Sequence, residues 1–232
     1  MAMDVLPDER LYVALDLPTI AQARDMVETL EDAVVSYKIG LQLLPLGGAQ
    51  FGQELKAMGK NVFYDFKLHD IGATVEKAAR SISGLGADLL TVHARPDVMV
   101  SAAAGRGDSG LKILGVTVLT SLDRQALEDI GYNYSAEELV MRRVEQALEA
   151  GIDGVVSSPL EACKIRARVP DDFLVVTPGI RMPGGDKGDQ KRIATPWAAL
   201  NGGASHIVVG RPITASENPR QAALNVLANM RA

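Results

Sequence analysis

The residues with the clearest capacity for chemistry are charged side chains at the ends of apolar runs. Asp16 follows Tyr12-Val13-Ala14-Leu15, and Lys38 follows Val34-Val35-Ser36-Tyr37. Asp65 and Lys67 close the run Phe63-Tyr64-Asp65-Phe66-Lys67, with Asp70 three residues beyond. Residues two apart on a strand point to one face, so Asp65 and Lys67 are expected to share one. Burying a single unpaired charge costs on the order of several kcal/mol, so charges at such positions should be paired. Asp16, Lys38, Asp65 and Lys67 alternate in sign and can satisfy one another. Two readings are open at this point. The set is a structural ion-pair network, or it is a functional array.

These residues need elements to position them. Short apolar runs rich in β-branched residues recur, each followed by a segment of helical period. They predict strands at Leu11–Leu17, Val34–Ile39, Val62–Lys67, Leu89–His93, Ile113–Leu119, Gly154–Ser158, Leu174–Pro178 and Ile207–Gly210. Helices are expected at Ile20–Leu30, Leu41–Met58, Ile71–Leu85, Asp97–Gly105, Ala136–Ala150, Pro159–Arg168, Pro196–Gly202 and Pro219–Met230. The repeat of about 29 residues suits a strand, a helix and two short loops. Strict βα alternation implies a parallel sheet, and eight units favour closure into an α/β (β/α)8 TIM barrel of one domain over residues 1–232. An open doubly wound sheet is the rival. The turn after the first strand, Leu15-Asp16-Leu17-Pro18-Thr19, lacks the glycine pattern of a dinucleotide-binding version. Gly59, Gly86, Gly110 and Gly151 are expected to close helices. Two longer connections, 120–135 and the glycine-containing 181–195, leave the C-terminal ends of strands and are candidate lids.

Bulk composition narrows the classes. The 232 residues are 47% hydrophobic but only 4% aromatic, which predicts an aliphatic core. A net charge of −5 with no basic stripe argues against nucleic acid as partner. The single cysteine, Cys163, allows no intrachain disulfide. No run approaches the roughly 18 apolar residues of a membrane span, and Met1–Arg10 has no apolar signal core. The expectation is a soluble, cytoplasmic protein.

The stretch Asp65-Phe66-Lys67-Leu68-His69-Asp70-Ile71, with Thr74 after it, resembles the DxKxxDIxxT signature of orotidine 5′-phosphate decarboxylases. The likeness extends to Ala14-Leu15-Asp16, Lys38-Ile39-Gly40, Leu119-Thr120-Ser121 and Thr177-Pro178-Gly179-Ile180-Arg181. It continues through Asp189-Gln190-Lys191-Arg192 and Val208-Val209-Gly210-Arg211-Pro212-Ile213. The resemblance implies a cofactor-free, metal-free carboxy-lyase that converts orotidine 5′-monophosphate to uridine 5′-monophosphate, the last step of de novo pyrimidine biosynthesis. It implies a catalytic Lys-Asp-Lys-Asp array of Lys38, Asp65, Lys67 and Asp70. It also implies a homodimer in which Asp70 and Thr74 reach the neighbouring subunit's site.

Under that resemblance, departure of CO₂ from C6 leaves an electron pair the ring cannot delocalise, so the protein must supply electrostatics. Lys67 is the expected proton donor, Asp65 holds it beside the departing carboxylate, and Lys38 and Asp16 bind ribose. Arg181, Gln190, Gly210 and Arg211 are expected at the phosphate, and Thr120 and Ser121 at the pyrimidine. The whole stretch of Asp65, Phe66, Lys67, Leu68, His69, Asp70, Ile71, Gly72, Ala73 and Thr74 is assigned to substrate binding. His93 ends the fourth strand and is expected to line the cavity without chemistry. The spacing of His69, His93 and His206 matches no metal motif.

Two alternatives accompany this reading. A magnesium-dependent keto-sugar-phosphate decarboxylase or aldolase shares DxKxxD, but needs an acid where this chain has Lys38. A non-catalytic nucleotide-binding barrel would keep Gln190 and Arg211, and has no need of Lys67 between two aspartates.

Overall fold

The computed structural model describes residues 8–185 and 192–232. Eight strands pair in sequence order and close on themselves: β1 (Leu11–Ala14), β2 (Ser36–Gly40), β3 (Asn61–Leu68), β4 (Leu89–His93), β5 (Lys112–Val116), β6 (Gly154–Val156), β7 (Leu174–Thr177) and β8 (His206–Val209). All pairings are parallel, and Leu11 opposite Ile207 joins the last strand to the first. The helices are α1 (Ile20–Leu30), α2 (Gly48–Ala57), α3 (Gly72–Ser83), α4 (Pro96–Arg106), α5 (Arg124–Asp129), α6 (Ala136–Glu149), α7 (Ala162–Arg166), α8 (Pro196–Asn201), α9 (Arg211–Thr214) and α10 (Pro219–Asn229). The closed barrel expected from the βα alternation is present, and the open sheet is excluded.

The helices form where caps and periodicity agree. Thr19 accepts a hydrogen bond from the Gln22 amide and starts α1, which buries Ala23, Val27 and Leu30 on one face. Ser135 and Glu138 make a reciprocal capping box for α6. The single helix expected over Leu41–Met58 is instead a 3₁₀ turn at Leu44–Leu46 followed by α2. Gly47, at φ 98°, stands between them in a conformation that side chains disfavour. The connection 120–135 contains α5, capped by Asp123, and a further short helix, α9, follows β8. After α4 the closing glycine is Gly107 (φ 56°), not Gly110.

Strand alternation builds two cores. Tyr12, Ala14, Phe63, Leu89, Leu114, Leu174, Val176 and Val208 fill the barrel interior, while Leu11, Val13, Val62, Tyr64 and their equivalents meet the helices. The expectation of an aliphatic core needs correcting. Tyr12 and Phe63 pack edge to face inside the barrel at 5.6 Å, and Tyr37, Phe51 and Tyr64 are fully buried outside it. Two of these phenols donate to backbone carbonyls, Tyr64 to Ala49 (2.7 Å) and Tyr37 to Val34 (3.3 Å). The few aromatics are concentrated inside. The same alternation that sends Phe63 inward sends Lys38 and Asp65 inward one layer higher.

His206, at the start of β8, lies against Tyr12 and Ser205. Burial, aided by Lys112 and Arg10, pushes its imidazole down to about 4. The unfolded chain therefore binds a proton that the folded chain refuses. Stability should fall as pH drops from about 6.5 through the folded value, by on the order of 3 kcal/mol. Melting curves of wild type and His206→Asn across this range test the point. The variant should show the flatter dependence, and equal slopes would remove His206 as the source.

Candidate active site

A cavity of about 480 Å³ opens at the C-terminal end of the strands. Its polar lining includes Asp16, Lys38, Asp65, Lys67, Thr120, Ser121, Ser157, Arg181 and Arg211. Its apolar wall includes Val116, Val118, Leu119 and Val156.

Asp16 sits just past β1 and Lys38 in the middle of β2. The Lys38 ammonium donates to both Asp16 oxygens, at 3.0 and 3.2 Å, and lies 3.4 Å from Asp65 Oδ2. On the other side of Asp65, Lys67 Nζ donates to Oδ1 at 2.8 Å. The four charges form a row of alternating sign. The Lys38 side chain is only 8% exposed and that of Asp65 15%, so most of their hydration has been replaced by one another. Burial pushes the Asp65 carboxyl up, but Lys38, Lys67 and donated hydrogen bonds outweigh it and hold the group below its ordinary value. Burial likewise pulls the Lys38 ammonium down, and the carboxylates of Asp65 and Asp16 reverse this, leaving it raised. Both groups are held in their charged forms.

Gly40 makes room for this row. A Cβ there would lie 2.6 Å from Asp16 Oδ1 and 2.9 Å from Lys38 Nζ.

Lys67 reaches Asp65 by a different route from the simple pleat expected. Tyr64 pairs with Leu90 and Leu68 with Val92, so Asp65, Phe66 and Lys67 stand opposite Thr91 alone. Lys67 itself has φ 48°, a left-handed conformation uncommon for a residue with a side chain. The fully buried Thr91 hydroxyl accepts from the Lys67 amide at 3.0 Å and donates to Asp65 Oδ1 at 2.9 Å.

The remaining candidates divide. Thr120, Ser121, Arg181, Gly210 and Arg211 surround the same cavity. Gln190 lies outside the described residues. Phe66 turns outward, buried and stacked on Tyr64 at 4.9 Å. Leu68 packs against the outer core. His69 is exposed and lies tilted against His93, ring centres 4.8 Å apart, with Arg95 on its Nε2. Neither Phe66, Leu68 nor His69 lines the cavity of this chain, and His93 does not line it either. Asp70 stands apart from the row. Its carboxylate accepts from the Ile71 amide at 2.6 Å, and among the described residues it makes no ion pair. Ile71, Ala73 and Thr74 are exposed beside it, with Gly72 beginning α3. Sequence reasoning missed Thr91 and Ser157 and gave Gly40, inside Lys38-Ile39-Gly40, no role of its own. Thr91 carried a legible signal, a polar residue inside Leu89-Leu90-Thr91-Val92.

Comparison with known proteins places this geometry. The chain is 57% identical over 223 residues to the orotidine 5′-phosphate decarboxylase of Caulobacter sp. (strain K31), a match covering 96% of this chain and 97% of that one. It is 56% identical over 227 residues to the protein of the same name from Caulobacter vibrioides (strain NA1000 / CB15N), with the same coverage. The crystal structure of orotidine 5′-phosphate decarboxylase from Lactobacillus acidophilus superposes with a TM-score of 0.85 at 36% identity, covering 97% of this chain and 100% of that one. Residues 9–226 match the model of the orotidine 5′-phosphate decarboxylase / HUMPS family, and the chain belongs to that family.

Proposed function

We propose that this chain decarboxylates orotidine 5′-monophosphate to uridine 5′-monophosphate, completing de novo pyrimidine nucleotide synthesis in the cytoplasm. The observation that carries the reading is the Lys67 ammonium, held 2.8 Å from Asp65 at the wall of a cavity whose other side is valine.

In the proposed reaction the bond from C6 to the carboxylate breaks and its electron pair stays on C6. The Lys67 ammonium stabilises that pair and then donates a proton to it, while CO₂ leaves as a neutral molecule. Lys67 is left as an amine and regains a proton from solvent. A fixed ammonium acts strongly here because the apolar wall excludes water and the array needs no reorganisation. Asp65 orients Lys67, and Lys38 with Asp16 take the ribose hydroxyls. Arg211 and Arg181 receive the phosphate together with Gly210 and Gln190, and Thr120 and Ser121 meet the base. Phosphate binding far from C6 then contributes to the barrier through positioning.

Asp70, Ile71 and Thr74 face outward on this chain, and Ile71 is 70% exposed. The proposal places them in the cavity of a second copy, where Asp70 would complete the row beyond Lys67. Residues 1–232 serve as one decarboxylase domain in this reading. A magnesium-dependent reaction on a keto-sugar phosphate is disfavoured by Lys38, whose ammonium fills the space between Asp16 and Asp65.

Purified protein in excess EDTA should convert orotidine 5′-monophosphate to uridine 5′-monophosphate, followed by the loss of substrate absorbance. No conversion, with turnover of a keto-sugar phosphate once magnesium is restored, would reject the proposal. Lys67→Ala should lower kcat by at least about 10³-fold while uridine 5′-monophosphate still binds. Arg211→Ala should act mainly on KM, weakening binding by about 1.5–3 kcal/mol. Mixing inactive Lys67→Ala and Asp70→Ala chains should restore activity through heterodimers carrying one intact site. Absence of recovery would count against a shared site.

A further inference from the structure

Thr91 lies at a break in the barrel's own hydrogen bonding. Between the Tyr64–Leu90 and Leu68–Val92 pairings, three residues of β3 face one residue of β4. A regular ladder cannot run through that mismatch, and within it the Lys67 amide donates to a side chain. The acceptor is the Thr91 hydroxyl, at 3.0 Å. Its polarity is fixed by its neighbours. An amide can only donate and an ionised carboxylate can only accept, so the hydroxyl must accept from Lys67 and give its own proton to Asp65 Oδ1, 2.9 Å away.

The same carboxylate oxygen also receives the Lys67 ammonium. Thr91 therefore ties the backbone of Lys67 to the atom that its side chain must reach, closing a ring through one residue. This matters because Lys67 is held at φ 48°, a conformation costing on the order of 1–3 kcal/mol unless its surroundings impose it. Thr91 is fully buried, and its β-branched side chain has little rotamer freedom with which to release either partner.

We infer that Thr91 is a positioning residue for the reaction: its hydroxyl sets the bulged backbone of Lys67 and the rotamer of Asp65, and so aims the ammonium into the cavity. The inference rests on the decarboxylase reading above. Thr91 does not line the cavity, so its effect should appear in turnover and leave ligand binding nearly unchanged.

The test compares Thr91→Val, which keeps shape and loses the hydroxyl, with Thr91→Ser, which keeps the hydroxyl. Thr91→Val should lose about ten- to a hundredfold in kcat, the range for a hydrogen bond to a charged group. Its KM and its affinity for uridine 5′-monophosphate should stay within a few-fold of wild type. Thr91→Ser should recover most of the rate. A Thr91→Val enzyme with wild-type kcat would overturn the inference. So would a Thr91→Ser enzyme as slow as Thr91→Val, because packing would then be the cause. An inactive wild-type protein would reject the decarboxylase reading instead. In that case a crystal structure of Thr91→Val decides: a displaced Lys67–Asp65 pair supports the clamp, and an unmoved pair overturns it.

Discussion

The Lys38 ammonium is the constraint on which the upper barrel depends. It stands almost wholly out of water between Asp16 and Asp65, and these two carboxylates offset its lost hydration. Removing one partner from a buried pair of this kind costs about 3–5 kcal/mol, since the remaining charge is stranded. Several local choices follow from it. Gly40 has no side chain because that volume belongs to the ion pair. Asp65 is kept ionised against its burial, and an ionised Asp65 then holds Lys67. The charges nearly cancel across the row, which lets a cationic group sit in a nonpolar setting without opening the barrel to solvent.

Beneath the row, Phe63 lines the cavity and packs edge to face on Tyr12 in the barrel interior. Opposite it, Val116 and Val156 supply a surface that neither donates nor accepts hydrogen bonds. The polar half comes from β1 to β3 and the apolar half from β5 and β6 of one closed sheet, which is stiffer than any loop. Electrostatic effects grow as local polarity falls. A rigid charged wall facing a valine wall is thus a means of making a few charges count.

The fold was legible because parity and period repeat eight times, and errors at one unit do not propagate to the next. Strand ends were less legible. Leu15 and Val118 are apolar for reasons of local packing and cavity lining, so runs were read past the hydrogen-bonded ladder. The helix expected across Leu41–Met58 failed on one backbone angle at Gly47, which hydrophobic period does not register. At the site, the charges Asp16, Lys38, Asp65 and Lys67 could be found because each is anomalous beside its apolar neighbours. The bulge that aims Lys67 was invisible, since no glycine marks it and a strict pleat also predicts contact with Asp65. Phe66 shows the limit of reading a contiguous stretch as one unit, because alternation turns it into the outer core. Asp70 and Thr74 lie on an exposed surface, where the hydrophobic period that made the barrel legible carries no signal.

The segment between Arg181 and Thr195 begins and ends at adjacent points of the barrel. The Arg181 amide donates to the Ala194 carbonyl at 2.9 Å and the Ala194 amide to the Gly179 carbonyl at 3.2 Å. Just inside the second anchor, Arg192 is paired with Glu161 and bonds the Leu119 carbonyl. The two anchors fix where this connection leaves and rejoins the sheet, and Arg192 fastens the rejoining end to the chain beyond β5 and beyond β6 at once. One guanidinium thus ties three separate βα connections together at the rim of the cavity.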